Sequence, residues 1–98
     1  MPTLRDIDGE KYPECVWFAR NLQRLRERLQ LTQGAFAKLV GLSQPFVSAL
    51  EGLKANPTLQ IMSVIARATG CPVSLLVSEE ELDFTPSEEH WVTWQHLI

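Results

Sequence analysis

Apolar residues recur along the middle of this chain at the three- and four-residue spacing of amphipathic helices. The first such stretch begins at Pro13, a residue that suits a first helical turn, and Glu14 suits the positive end of a helix dipole. Apolar side chains then stand at Trp17, Phe18, Leu22, Leu25 and Leu29. The pattern predicts a first helix from about residue 13 to residue 29.

Two short helices are predicted next, and each begins with a residue that caps helices well. Thr32 is a natural N-cap for a helix over residues 33–40. Its predicted inner face is formed by Ala35, Phe36, Leu39 and Val40. After the connection Gly41-Leu42-Ser43, a third helix runs to about residue 51, with Val47 and Leu50 pointing inward and Gly52 at its end.

Two more helices complete the central region. Thr58 caps the fourth, which Gly70 and Pro72 close, and Val73–Val77 is predicted as a short fifth helix. The predicted inner face of the fourth helix is formed by Leu59, Met62, Ile65 and Ala66. The fold class predicted from this pattern is all-α, with five helices in the central domain and no strand.

The two ends of the chain have a different character. Residues 1–12 are polar and mixed and are expected to form a loose arm, whereas residues 13–78 form the predicted domain. Residues 79–98 begin with the acidic run EEELD and are predicted to be a linker followed by a sixth helix. Thr85-Pro86-Ser87-Glu88 resembles a capping box, and Trp91 and Trp94 would share one face of that extra helix.

The distribution of charge changes the meaning of the formal net charge of -3. Residues 15–78 contain seven basic and two acidic residues, whereas residues 79–98 contain six acidic residues and no lysine or arginine. The first fourteen residues contain two basic and four acidic residues. A basic domain between acidic ends is compatible with a nucleic-acid partner.

Several functional classes find no support in the sequence. No apolar run approaches the roughly 20 residues of a membrane span, and no secretory signal follows Met1, so a cytoplasmic location is expected. Cys15 and Cys71 are isolated and are interpreted as packing residues, so neither a metal nor another cofactor is expected. No catalytic constellation or phosphate-binding glycine loop is visible, and an enzyme is not predicted.

A set of short motifs points to one family. Two short helices joined by a three-residue turn form a helix-turn-helix arrangement. The set comprises Leu31-Thr32-Gln33, Ala37, Gly41-Leu42-Ser43, Leu50-Glu51-Gly52 and Asn56-Pro57-Thr58-Leu59. With these motifs, residues 18–77 resemble the DNA-binding domain of the lambda-repressor-like family, the Cro/C1 or XRE-type regulators. The resemblance implies that the partner is double-stranded DNA, with helix three in the major groove and helix two across the phosphate backbone.

On that placement the exposed positions of helix three are the base-reading candidates: Gln44, Pro45, Phe46, Ser48 and Ala49. The Gln44 amide suits bidentate pairing with adenine, and Pro45 with Phe46 suits a thymine methyl group. Phe46 has an equally good alternative role in packing against helix two or a partner protein. Because Pro45 has no N–H, Ser43 is expected to cap the amide of Phe46.

Phosphate contacts are expected mainly from Lys54, in the loop after helix three, and from Lys38, near the end of helix two. The resemblance implies that Gln33 contacts phosphate and braces Gln44. The full set of phosphate and bracing candidates is Thr32, Gln33, Lys38, Ser43, Lys54 and Asn56. The resemblance also implies an ion pair between Arg26 and Glu51, which we assign to structure instead of binding.

One domain of this size makes few base contacts, so a homodimer on a palindromic operator is expected, with half-sites roughly 34 Å apart. The resemblance places the dimer contact near helix five, at Val73 and Leu76, and Trp91 and Trp94 form a second candidate surface. These tryptophans have the alternative of docking onto their own domain. The predicted function is a transcriptional regulator of the repressor type. The alternative is an antitoxin-type module whose C-terminal segment binds a partner protein while the domain autoregulates its operon.

Overall fold

The computed structural model describes residues 7–84, and within that range the chain is helical with no strand. The helices are α1 (Pro13–Arg28), α2 (Gln33–Val40), α3 (Gln44–Glu51), α4 (Leu59–Thr69) and α5 (Val73–Leu76). The predicted all-α class with five helices is confirmed for this part of the chain. The predicted sixth helix, with Trp91 and Trp94, lies outside the described residues. No helix among residues 7–84 is long and apolar enough to cross a membrane.

Local capping chemistry starts α2, α3 and α4 where the sequence predicts. The hydroxyl oxygens of Thr32, Ser43 and Thr58 each accept a hydrogen bond from an amide three residues on, at 3.1, 3.2 and 3.2 Å. Each bond satisfies one of the amides that a helix N-terminus leaves without an intrahelical partner. For Ser43 the donor is the amide of Phe46, as the missing N–H of Pro45 predicts.

The helix ends follow the glycine rule in two cases out of three. Gly41 and Gly70 adopt left-handed conformations with φ of 76° and 79°, so the expected glycine stop is present after α2 and α4. Gly52 keeps a φ of -93°, and the left-handed residue after α3 is Leu53, with φ of 60°. The turn after α3 is therefore made by a residue with a side chain, at a modest conformational cost.

The core lies where α1, α2, α3 and α4 meet, and its largest side chains are fully buried. It contains Phe18, Leu22, Leu25, Phe36, Val47, Leu50, Ile65 and Leu76. Two predictions of inner faces are wrong. Ala35 is exposed on α2, and Leu59 is 69% exposed because it lies in the first turn of α4, before that helix reaches the core. Ala68 is buried on α4 instead.

Residues 79–84 were predicted to belong to a linker, but they pack onto α1. Leu82 is only 2% exposed and belongs to the core, and Phe84 packs against it. The side chain of Asn21 is fully buried, and its oxygen accepts a hydrogen bond from the amide of Leu82 at 3.1 Å. The packed unit therefore continues beyond the predicted boundary at residue 78.

The segment Ser78–Asp83, which we call the acidic strap, lies against the basic side of α1. Nη2 of Arg20 lies 3.1, 2.8 and 2.9 Å from the carbonyl oxygens of Ser78, Glu79 and Glu80. Arg24 pairs with Glu81 at 3.6 Å, and Arg28 pairs with Asp83 at 3.4 Å. Since these two ion pairs are exposed, they contribute little stability, but they place acidic groups over the arginines of α1.

The two cysteines differ in their environments, which leads to a prediction. Cys71 is fully buried, and burial raises the pKa of its thiol to about 11. Cys15 is half-buried, and its pKa is raised by burial with a further contribution from Glu14. Because the thiolate is the reactive form, a thiol reagent at pH 8 should modify Cys15 slowly and Cys71 only after unfolding. Mass spectrometry of the native and urea-unfolded protein tests this, and rapid native labelling of Cys71 would contradict the packing.

Candidate nucleic-acid interface

The α2-turn-α3 unit presents one face of α3 to solvent. Val47 and Leu50 are 0% and 1% exposed, and they pack α3 against the core. The turn is closed by a hydrogen bond of 2.9 Å from the amide of Leu42 to the carbonyl of Ala37. With those side chains turned inward, the first two residues of α3, Gln44 and Pro45, and the side chain of Ser48 are exposed to solvent.

The predicted base-reading residues divide into two groups by exposure. Gln44, Pro45 and Ser48 are exposed, and Ala49 is half-buried. Phe46 is half-buried and packs against the core, which favours the packing role over a purely solvent-facing one. The exposed residues available to a ligand are therefore Gln44 and Pro45, at the N-terminus of α3, and Ser48.

A cleft opens between the N-terminal parts of α2 and α3. Both Gln44 and Lys38 line the cleft. The residues lining it are Thr32, Gly34, Ala35, Ala37, Lys38, Leu42 and Gln44. Four of them, Thr32, Ala35, Lys38 and Gln44, are exposed, so the cleft is open to a large ligand. The amides at the start of α2 add donors that suit an anion on this side of the domain.

Gln33 does not brace Gln44, contrary to the prediction. Its amide nitrogen donates instead to Oε1 of Glu51, at 3.1 Å. The reason is geometric: Glu51, at the end of α3, presents a nearly buried carboxylate to α2, and a charged acceptor makes a stronger hydrogen bond than a neutral amide. Gln33 therefore ties α2 to the far end of α3.

Arg26 and Glu51 form a bidentate ion pair at the centre of the domain. Nε of Arg26 lies 2.7 Å from Oε2 of Glu51, and Nη2 lies 3.0 Å from Oε1. Nη1 donates to the carbonyl of Leu31 at 3.0 Å. The hydrogen bond to Glu51 raises the pKa of Arg26, against the opposing effect of burial. The pair and Gln33 together connect α1, α2 and the end of α3.

The loop after α3 places the remaining polar candidates on the surface. The amides of Lys54 and Ala55 both donate to the carbonyl of Ala49, at 2.8 and 3.2 Å, so the loop folds back on α3. Lys54 and Asn56 are exposed there. A contact that the sequence did not signal joins the N-terminal residues to this loop, since the amide of Ile7 donates to the carbonyl of Leu53 at 3.3 Å.

The predicted dimer contacts need one correction. Leu76 is fully buried in the domain's own core, so it is not available to a partner. Val73 is half-buried, and its neighbour Leu75 is 37% exposed. Trp91 and Trp94 lie outside the described residues. Among residues 7–84 there is no group of three or more side chains arranged to bind a metal ion.

Comparison with known proteins gives two matches. A family model described as helix-turn-helix matches residues 22–76, which is more than half of the chain. A curated relative, the immunity repressor protein of Bacillus phage phi105, is 32% identical over 63 residues, which are 64% of this chain and 44% of that protein. The chain thus matches less than half of the length of this relative. No solved structure gives a significant match.

Proposed function

This chain belongs to the helix-turn-helix family, and from that premise we propose that it is a sequence-specific repressor of transcription that binds a palindromic operator as a homodimer. The observation that carries the proposal is the exposed, capped start of α3, at Gln44 and Pro45, on a helix that its buried residues Val47 and Leu50 fix to the core. Similarity to a phage protein named as an immunity repressor supports repression over activation. Because the target is DNA, the proposed site of action is the cytoplasm.

Base reading is assigned to the exposed face of α3. Gln44 is the main reader, because its amide can pair with N6 and N7 of adenine. Pro45 offers an apolar contact for a thymine methyl group, and Ser48 offers a hydroxyl to a base or a phosphate. Ala49 admits close approach, and Phe46, which packs against the core, contributes at most its exposed edge.

Affinity is assigned to charged and amide groups around that face. Lys54 and Lys38 are the proposed phosphate contacts, because neutralising phosphates supplies most non-specific affinity. Asn56 and the capped first turns at Thr32 and Ser43 add neutral donors. For Gln33 the described contact with Glu51 supports a structural role in orienting α3. Arg20, Arg24 and Arg28 of α1 are left out of this set because they already contact the acidic strap.

Dimerisation is assigned to the surface around α5. Val73 is half-buried and Leu75 exposed, so apolar area is available beside the core residue Leu76. Two domains related by a twofold axis would read half-sites roughly 34 Å apart. Analytical ultracentrifugation of Leu75→Asp against the unmodified chain tests this assignment. Unchanged dimerisation would show that the dimer contact does not involve Leu75.

Selection of binding sites from random duplex DNA tests the proposed function directly. Enrichment of a palindrome at low salt is the expected result, because the basic domain and the reading helix act together. Recovery of no enriched sequence at low salt would contradict a sequence-specific repressor. The same experiment gives the operator on which the substitutions below are measured.

Substitution of Gln44 and of Lys54 should distinguish base recognition from phosphate binding. Gln44→Ala is expected to relax the preference at one A·T pair in each half-site by about 1 to 3 kcal/mol. Lys54→Ala should weaken binding to all sequences alike and reduce the slope of log K against log salt by about one. Fluorescence anisotropy at several salt concentrations measures both quantities. If the two variants behave alike, the role assignments are wrong.

The antitoxin-type alternative remains a second proposal, and it concerns residues 85–98. Since Leu82 is part of the core, a truncation that tests it must begin after Phe84. Loss of a bound partner protein with DNA binding intact would favour the antitoxin. Loss of the dimer would instead assign the tail to self-association.

A further inference from the structure

We propose that Gly34 is a specificity-determining residue, because its missing side chain leaves the space in which the Gln44 amide lies. Gly34 is the second residue of α2 and faces the first residue of α3 across the cleft. A Cβ atom at position 34 would lie 3.2 Å from Oε1 and 3.7 Å from Cδ of Gln44. The first distance is shorter than an ordinary van der Waals contact, so any side chain at position 34 would displace the amide of Gln44.

The backbone of α2 does not itself require a glycine at this position. Gly41 and Gly70 have positive φ, which other residues adopt at a cost, but Gly34 lies inside a regular helix. Glycine is the weakest helix former apart from proline, so at position 34 it weakens α2. What the structure shows for Gly34 is the space that its missing side chain leaves for Gln44.

Gln44 has no other described restraint on its direction. Gln33, the residue that could have braced it, donates to Glu51. Among residues 7–84 no hydrogen bond to the side-chain amide of Gln44 is present, and the side chain is exposed. The backbone of α2 at Gly34 is therefore the surface against which this amide packs. This contact with α2 limits the directions in which the Gln44 side chain can extend from the start of α3.

This inference rests on the proposed function, in which Gln44 reads a base pair. If the amide must lie against α2 to reach that base in the correct orientation, filling the space at position 34 should impair reading without removing Gln44. The effect on stability should have the opposite sign. Gly34→Ala replaces a weak helix former by the best one, so it should raise the melting temperature while it lowers base preference.

The experiment compares the full-length chain with Gly34→Ala and Gly34→Leu on the selected operator and on operators changed at the Gln44 base pair. For the unmodified protein the preference at that pair is expected to be about 5- to 150-fold. Gly34→Ala should reduce it in part, because Gln44 must shift by a few tenths of an ångström. Gly34→Leu should reduce it to the level of Gln44→Ala.

A double-mutant cycle with Gln44→Ala provides the control. In the Gln44→Ala background, Gly34→Leu should leave the remaining preference at that base pair unchanged, because no amide is left to displace. A further loss in that background would show that the leucine acts on DNA directly and would overturn the inference. Full preference in Gly34→Leu would overturn it as well.

The failure of the inference is distinguishable from failure of the proposed function. If the unmodified chain selects no site, the repressor proposal fails before Gly34 is tested. If it selects a site but Gln44→Ala changes no base preference, the reader is another residue and the role of Gly34 is refuted with it. If both Gly34 variants bind all sequences more weakly with preference intact, position 34 affects the phosphate contact alone, which also contradicts the inference.

Discussion

Replacement of Asn21 by alanine is expected to lower the free energy of unfolding by about 3 to 5 kcal/mol, although no apolar core residue is touched. The Asn21 side chain is fully buried, and its Nδ2 donates to the carbonyls of Leu75, Leu76 and Ser78, at 3.0, 3.2 and 3.0 Å. Its Oδ1 accepts from the amide of Leu82 at 3.1 Å. Each buried group left without a partner costs about 1 to 3 kcal/mol.

The measurement is urea unfolding followed by circular dichroism, with Gln23→Ala as the control. Gln23 lies on the same helix, is exposed, and donates to the exposed Glu27, so its removal should change stability by less than about 0.5 kcal/mol. Asn21→Asp keeps the shape and the acceptor for Arg20 and Leu82 but removes both donors, so it should also lower the stability. A loss below 1 kcal/mol for both Asn21 variants would show that α5 and the strap do not depend on this residue.

Asn21 also helps to extend the packed unit beyond residue 78. Through Leu82 it secures the acidic strap, which covers Arg20, Arg24 and Arg28. Arg24 and Arg28 of α1 thus have acidic partners on the strap, and Arg20 binds its backbone carbonyls. Positive charge from the lysines Lys38 and Lys54 stays exposed beside α3. These two lysines are the exposed cations that the proposed DNA-binding face carries.

The parts of the fold that could be predicted depend on local chemistry. Helix starts follow from Thr32, Ser43 and Thr58, because an N-cap bond needs only residues three positions apart. Glycine stops at Gly41 and Gly70 follow from the low cost of a positive φ. Even the bond from the amide of Phe46 to Ser43 follows from the missing N–H of the proline between them.

The parts that could not be predicted depend on contacts between distant segments. Leu82 stands inside an acidic run that is typical of a solvated linker, and its burial depends on contacts with α1, including the bond from its amide to Asn21. Leu59 and Leu76 look alike in sequence, yet one is 69% exposed and the other is core. Apolar periodicity indicates a face, but it does not say how far along a helix the neighbouring elements extend.

The candidate site shows the same division between local and distant information. Positions on α3 can be sorted from sequence once Val47 and Leu50 are assigned inward. The hydrogen-bond partner of Gln33 cannot be predicted in this way. Gln44 and Glu51 are both acceptors on α3, and their positions relative to α2 depend on how the two helices pack. Gly34 carried no signal either, since its effect is on a side chain of another helix.

Removal of one partner from the Arg26–Glu51 pair should have the second large effect. Arg26→Met is expected to lower the free energy of unfolding by about 3 to 5 kcal/mol. The side chains of Arg26 and Glu51 are 16% and 7% exposed, so methionine would leave a nearly buried carboxylate without its counter-ion. The carbonyl of Leu31 would lose its donor as well. Adding Glu51→Gln to Arg26→Met should recover part of the loss, because the remaining group is then neutral.

Unfolding by urea measures the stability of the single and double variants, and DNA binding reports a separate consequence. Although neither residue is assigned to a DNA contact, Arg26→Met should reduce operator affinity, because the end of α3 loses its link to α1. Lys38→Ala is the matched control, since it removes an exposed charge and should reduce affinity without loss of stability. If Arg26→Met were as stable as Lys38→Ala, the ion pair would not be what orients α3. The assignment of Glu51 to structure would then be wrong, and an acidic residue at the end of the reading helix would need a role in recognition.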